Sequence, residues 1–375
     1  MPRLCVAAVI ASTLCFSSEA AKAASARAAA KAASARASLT APAPLRGGGA
    51  CTTSFNCSLN GQCTAGACVC DPPWGGDSCQ TLIYATTPAS GQNLWSGPFT
   101  DPNLNTWNGP IVTGADGTYH LFDPVYEHAS LWNVIYYAHG VASKPEGPYD
   151  WSLPNISSNA INPAALVFPD ATTGDLVYTL WIGNDILVAS SVAGPYTKTY
   201  SNPAPSNSAP AFWKGTFYVT DQDTSRVLSA TSLKGPWTTF STITHPSMPY
   251  TVEDPFMYFN ARGEIHIINH AYNTGQRTNC TTSWVSSHFF SADGVTWGHT
   301  DQPYGHTVVF DDGTSHSYCT LERPNLLFDA TGLLTHIHFA ADLVTEDAGC
   351  PNRGKGCVDC KYDDHAGTLL VKLGA

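Results

Sequence analysis

Two short segments hold the residues best suited to proton-transfer chemistry: Glu253-Asp254-Pro255 and Glu322-Arg323-Pro324. They bring three carboxylates and a guanidinium to a chain of which only 13% is charged. Carboxylates packed together raise one another's pKa, so one is kept protonated as a general acid while a partner stays ionised as a base. Arg323 opposes this by holding one carboxylate ionised, or it grips a hydroxyl or carboxylate of a ligand. His270 closes the apolar stretch after Asp254-Pro255 and offers an imidazole, either replacing a missing acid or binding a hydroxyl. Each residue also has a plain structural duty to weigh: Glu322-Arg323 as an ion pair, Asp254 as the cap of a turn. Glu253 lacks one, since a glutamate at a buried strand start has no routine role.

The two segments belong to a recurrence. Asn108-Gly109-Pro110, Ile161-Asn162-Pro163, Ser208-Ala209-Pro210, Glu253-Asp254-Pro255 and Glu322-Arg323-Pro324 are each followed by a few apolar residues, a turn containing Gly and an alternating apolar strand, as in Ile265-His266-Ile267-Ile268. The prolines stand 53, 47, 45 and 69 residues apart. A second motif follows the first four: Gly147-Pro148-Tyr149, Gly194-Pro195-Tyr196, Gly235-Pro236-Trp237 and Gly294-Val295-Thr296-Trp297. Two turn-punctuated hairpins in every ~50 residues describe a four-stranded sheet repeated about an axis. Five copies predict five blades; a β-sandwich with coincidental Gly-Pro turns is the competing reading. Proline lacks an N–H and belongs at a strand start or edge, so each x-Pro marks the beginning of an innermost strand. The residues before the prolines then ring one mouth of a central channel, and they include Asn108 and Asn162 beside the four charged groups.

Composition agrees with an all-β chain. The 375 residues include 31 Gly, 26 Pro, 10 Trp, 16 Tyr and 15 Phe, and 43% are apolar, enough to bury a sizeable core. Residues 1–50 carry six Lys or Arg and one acid, whereas the remainder carries 12 and 28. So acidic a body excludes phosphate backbones and anionic membrane surfaces as partners and points to a neutral one. Arg3, the apolar run Leu4–Phe16 and the small residues Ser17, Ser18 and Ala20 predict a signal peptide over 1–20, and no other segment is apolar enough for a membrane anchor. Residues 21–50 read as an Ala-rich low-complexity linker in which KAASARA occurs twice. Secretion is the expectation, with a plastid reached by bipartite targeting as the alternative.

Six cysteines, Cys51, Cys57, Cys63, Cys68, Cys70 and Cys79, lie within thirty residues. So small a segment cannot build an adequate core and needs cross-links, although spacing alone leaves fifteen pairings open. Over 51–80 the pattern resembles an EGF-like domain, which implies the pairs Cys51–Cys63, Cys57–Cys68 and Cys70–Cys79. Gly47–Ala50 stand where calcium-binding members carry acids, so no calcium is expected in this module. Cys280, Cys319, Cys350, Cys357 and Cys360 are an odd remainder of undetermined pairing, and sequons stand at Asn56, Asn155 and Asn279.

Over residues 90–375 the repeat resembles the five-bladed β-propellers of glycoside hydrolase family 43 and its relatives. The fold class expected is therefore a five-bladed β-propeller preceded by a small disulfide-rich module. The resemblance implies inverting acid/base hydrolysis of a poly- or oligosaccharide by Glu253, Asp254 and Glu322. Glu253 and Glu322 both share the family acid's offset from proline. The residues themselves add candidate sugar contacts: Trp107, adjoining Asn108, as a stacking platform, and Asn108, Asn162, His270 and Arg323 as polar partners. The family's first-blade aspartate is replaced by Gly109. No cofactor is required and no metal-ligand spacing is evident, although calcium is the ion the family most often carries in its channel. The alternative is a carbohydrate-binding or adhesion propeller without that base, with protein contacts through the EGF-like module.

Overall fold

A computed structural model describes residues 46–94, 104–127, 134–158, 160, 162–244, 246, 250–272, 284–318, 321–342 and 366–374. The expected signal peptide, most of the linker, the sequon Asn279 and the five remaining cysteines lie outside the described residues. Among those described there is no α-helix, only two single 3-10 turns, Ser54–Cys57 and Ala89–Gln92.

The N-terminal module holds β1 (Arg46–Ala50), β2 (Gly61–Thr64) and β3 (Ala67–Cys70) in the order β1-β3-β2, followed by the pair β4 (Trp74–Gly75) and β5 (Thr81–Leu82). Disulfides join Cys51 to Cys63, Cys57 to Cys68 and Cys70 to Cys79, stabilising a unit too small to fold on apolar burial alone. Residues 46–50, expected to end the linker, are instead a strand. A Cβ on Gly47 would meet the Gly76 carbonyl oxygen at 2.7 Å, and one on Gly49 that of Asp77 at 2.4 Å. These glycines serve close backbone approach rather than flexibility.

Five antiparallel sheets follow. The first contains β6 (Leu104–Thr106), β7 (Ile111–Thr113), β8 (Tyr119–Glu127), β9 (Val134–Ala142) and β10 (Asp150–Ile156), with β6 and β7 both paired to β8. The next three are four-stranded meanders: β11 (Ala164–Pro169) to β14 (Thr197–Ser201) with β12 (Leu176–Ile182) and β13 (Asp185–Ala189) between; β15 (Ala209–Trp213), β16 (Thr216–Thr220), β17 (Arg226–Ala230) and β18 (Thr238–Thr242); and β19 (Thr251–Phe259), β20 (Ile265–Tyr272), β21 (Trp284–Ser291) and β22 (Trp297–Asp301). After the hairpin β23 (Thr307–Val309) and β24 (Ser315–Ser317), the fifth sheet has β25 (Leu321–Phe328), β26 (Leu334–Asp342) and β27 (Ala366–Lys372). Its outer edge is covered by the chain entering from the module: Ala85 N–H donates to Lys372 O at 2.9 Å and Leu94 N–H to Thr368 O at 2.8 Å. N- and C-terminal segments thus complete one blade, which closes the ring and hides an edge.

The protein is a five-bladed β-propeller. A central cavity of about 500 Å³ is lined by all five innermost strands, through residues such as Ile111, Ala165, Ala209, Met257 and Leu326. Pro110 and Pro163 immediately precede their strands and Pro210 is second in its own, but Pro255 and Pro324, expected to begin theirs, stand in mid-strand where pairing is interrupted, which equally spares the missing N–H.

The module is seated on the fourth blade. Arg262 reaches Asp71 Oδ2 at 2.7 Å and donates to the Leu59 carbonyl at 2.6 Å. Beside it runs a column of near-parallel rings: Trp74 on His288, His288 on His266 and His266 on Tyr258, at 5.3, 5.2 and 4.9 Å. One imidazole bonds the other, His266 Nδ1 to His288 Nε2 at 3.0 Å, a contact that suits neutral rings.

Buried imidazoles set how stability responds to pH. Burial, helped by neighbouring positive charge, pushes His139, His270, His288 and His338 down to about 3 and His266 well below its ordinary value. The unfolded chain protonates these groups below about 6.5, so acid favours unfolding from there down to about 3. Asp123 and Asp254, raised by burial to about 6 and about 7, act the other way. Five groups outweigh two, and stability is expected to fall by on the order of 4 kcal/mol per pH unit between about pH 6 and 4. Urea midpoints across that range test this; a midpoint that holds or rises toward pH 4 contradicts it.

Candidate active site

Strict strand alternation would send Glu253 and Asp254 to opposite faces of their sheet. The chain avoids this with a bulge. Pairing runs regularly to Glu253 opposite His270 and resumes at Phe256 opposite Ile268. The same interruption falls between Glu322 and Asn325. A bulge re-aims a side chain, and here Glu253 and Asp254 line one pocket. The backbone is left-handed at Asn108, Asn162, Asp254 and Arg323, with φ of 43°, 59°, 53° and 52°. Asn and Asp tolerate this region. Arg323 does not do so readily and is held there by its surroundings.

Those surroundings are a buried polar layer across the axis. Arg323 donates from one terminal nitrogen to Asn162 Oδ1 and from the other to Pro163 O at 2.8 Å. Asn162 donates to Asn207 Oδ1, and Asn207 donates to Asp254 Oδ1. Asn108 donates to Arg323 O at 2.6 Å, while its own Oδ1 lies 2.7 Å from His338 Nδ1. Arg323 therefore spends its terminal nitrogens on Asn162 and Pro163, and the ion pair with Glu322 considered from sequence is not what holds it.

Above this layer opens a cavity of about 610 Å³, within the range of small-ligand sites. Its chemistry-bearing lining is Asn162, Asn184, Asn207, Gln222 and the carboxylates Glu253, Asp254 and Glu322. The carboxylates gather about His270. Its Nδ1 lies 3.7 Å from Glu253 Oε1 and 3.9 Å from Asp254 Oδ2, and its Nε2 lies 3.9 Å from Glu322 Oε1. Side-chain exposure is 24% for Glu253 against 5% and 6% for Asp254 and Glu322, so Glu253 is the one most open to a ligand. Burial raises Asp254 to about 7, with the Glu253 charge adding and Arg323 opposing. Burial, with His306 contributing, lowers His270 to about 3 and keeps it neutral.

The structure thus gathers Glu253, Asp254, Glu322 and Asn162 at the pocket, with His270 behind them and Arg323 and Asn108 beneath. It does not bring Trp107 there. That indole is 5% exposed and packs with Tyr126 and Ala340 between the first and last blades, so no ring face is open for stacking. Asn108, expected to touch a ligand, is fully buried in the axial layer. Asn184, Asn207 and Gln222 are pocket residues that sequence reasoning missed; Asn207 stands one place before the Ser208-Ala209 pair on which the repeat was aligned.

Gly109 occupies the first-blade position where the resemblance places a base, and the backbone there admits no side chain. A Cβ would lie 1.6 Å from the Phe122 carbonyl oxygen. The neighbouring carboxylate, Asp123, is fully buried in β8. It accepts from Gly109 N–H at 3.0 Å and from Thr368 Oγ1 at 2.9 Å, serving the backbone and not the pocket.

The resemblance also allows calcium in the channel. Glu253, Asp254 and His270 place one donor atom each within 4.8 Å of one another. Calcium takes six to eight oxygen ligands, and a set built on a buried imidazole with two carboxylates does not fit it. The cysteines Cys51, Cys57 and Cys68, also close together, are spent in disulfides.

The sequence matches no protein-family model and no curated protein. Among solved structures, the chain is similar to an endo-arabinase from Bacteroides thetaiotaomicron (TM-score 0.45, 13% identity, 77% of this chain and 97% of that one). It is similar also to an α-L-arabinanase from Penicillium chrysogenum solved with arabinobiose (0.43, 11%, 78% and 97%). A third is an α-L-arabinofuranosidase of Fusarium graminearum (0.46, 10%, 78% and 97%). The propeller is established by this chain's own sheets and axial cavity.

Gly109→Asp is expected to leave no usable first-blade carboxylate and to destabilise the fold by about 3 kcal/mol or more, as overpacking against backbone does. Denaturant unfolding measures this. A variant as stable as the parent would show that the position has room for a base.

Proposed function

We propose that this is an exported glycoside hydrolase acting on a neutral poly- or oligosaccharide by inverting acid/base chemistry. The observation that carries the proposal is the grouping of three carboxylates of unequal exposure around one amide-lined cavity. Glu253, the most exposed, is the general acid that protonates the leaving oxygen. Glu322, on the other side of His270, is the base that activates water. Asp254 lies beneath, its negative charge when ionised favouring the proton on Glu253. The four amides Asn162, Asn184, Asn207 and Gln222 suit hydroxyl groups, each offering donors and an acceptor. Arg323 is engaged by Asn162 and Pro163, which argues for an uncharged ligand. Three disulfides accord with an oxidising compartment.

A second reading is favoured by one observation, the closed backbone at Gly109: the propeller binds a glycan without cleaving it. One experiment separates the two. Reducing-sugar release is measured on a panel of neutral plant and algal polysaccharides in chelator-treated buffer, for the parent and for Glu253→Gln and Glu322→Gln. Hydrolysis predicts release by the parent and a loss of roughly 100-fold or more in each variant, with inverted product anomers by proton NMR. Equal release in all three removes these assignments, and retention of a glycan without release by the parent establishes the binding reading.

A further inference from the structure

We infer that Glu253, Asp254 and His270 form a binding site for a first-row transition dication of the zinc and manganese class. The geometry is that of donors around a shared centre. His270 Nδ1 stands 3.7 Å from Glu253 Oε1 and 3.9 Å from Asp254 Oδ2, beyond hydrogen-bond range. Ligands at the usual 2.0–2.2 Å from a tetrahedral ion lie roughly 3.4 Å apart, so small side-chain adjustments suffice. The scaffold is rigid: Glu253 and His270 face each other on paired strands, and the bulge sets Asp254 beside them.

The outer contacts are arranged in the same sense. Gln222 donates to Glu253 Oε2 at 3.4 Å, and Asn207 donates to Asp254 Oδ1. Each carboxylate is steadied through one oxygen by an amide while its other oxygen turns toward His270 Nδ1. On the far edge of the ring, Glu322 Oε1 faces Nε2 at 3.9 Å. A carboxylate behind a histidine, fixing which ring nitrogen carries the proton, is the usual support for a metal-bound imidazole.

Charge and donor type select the ion. With Glu253, Asp254 and Glu322 all ionised, one guanidinium would leave two negative charges in a largely buried cluster, which a dication would cancel. Imidazole with carboxylates suits zinc, iron and manganese more than magnesium or calcium. An ion here would also hold Glu253 ionised and inhibit acid catalysis, a consequence that rests on the hydrolase reading, whereas the site itself does not.

The test is calorimetric titration of the chelator-treated full chain with zinc. One equivalent is expected to bind at micromolar affinity or tighter, with millimolar calcium and magnesium failing to compete. His270→Gln is expected to weaken binding at least tenfold and to remove imidazole scattering from the zinc X-ray absorption spectrum. Glu322→Gln is expected to weaken it 10- to 100-fold through the outer contact. Circular dichroism verifies folding; should His270→Gln not fold, the most exposed ligand is tested through Glu253→Gln with the same expectation. Absence of stoichiometric binding, or binding that these variants leave unchanged, overturns the site. Zinc binding by a protein that releases no sugar when metal-free overturns the hydrolase reading and leaves the site standing.

Discussion

A guanidinium lies on the axis of this propeller, and the blades are tied to one another through it. Arg323, from the fifth blade, donates to Asn162 and Pro163 of the second. Asn162 passes the network to Asn207 of the third and through it to Asp254 of the fourth, while Asn108 of the first donates to the Arg323 carbonyl. A buried charge is tolerated only when its donors are satisfied. Here the second blade accepts from both terminal nitrogens of Arg323, and the amide chain beyond it links the third and fourth blades to the same layer. The layer therefore does two things at once: it closes the channel, and it forms the floor on which the carboxylates above are arranged.

The carboxylates depend on departures from regular strand geometry. Without the bulge after Glu253, that residue and Asp254 would point to opposite faces of their sheet. The left-handed backbone at Asp254 and Arg323 is a local cost, offset by the bonds of the axial layer. The first blade is built differently. Its backbone runs so close to Phe122 that only glycine fits at 109, and Asp123 secures the Gly109 amide from beneath. The acidic chemistry of the ring is thereby concentrated on the fourth and fifth blades, where His270 lies between Glu253 and Glu322.

The N-terminal module is part of the same construction. Its chain continues along β27 to complete the last blade, and its Trp74 ends a column of rings rooted in the fourth. Ring closure by both ends of the chain is entropically sensible. The contact that resists opening joins residues nearly three hundred positions apart, and the module's disulfides keep its own part of the joint from unravelling.

Much of this was legible in the residues alone because it rests on local rules. Proline's missing N–H and the Gly-centred turns disclose the blade repeat, and the recurrence of Pro110, Pro163, Pro210, Pro255 and Pro324 discloses the ring, so that Glu253, Asp254 and Glu322 can be nominated before any coordinates are seen. What tertiary structure alone decided is where sequence-distant surfaces meet. Trp107 is hidden because Ala340 and Tyr126 pack on it; Gly109 cannot carry a side chain because Phe122 crosses it; Asn207 enters the pocket beside Asp254; Gly47 and Gly49 belong to a strand because Gly76 and Asp77 press against them. Backbone periodicity is written within a few residues of itself. Burial and access depend on neighbours more than 200 positions away, and no local pattern encodes them.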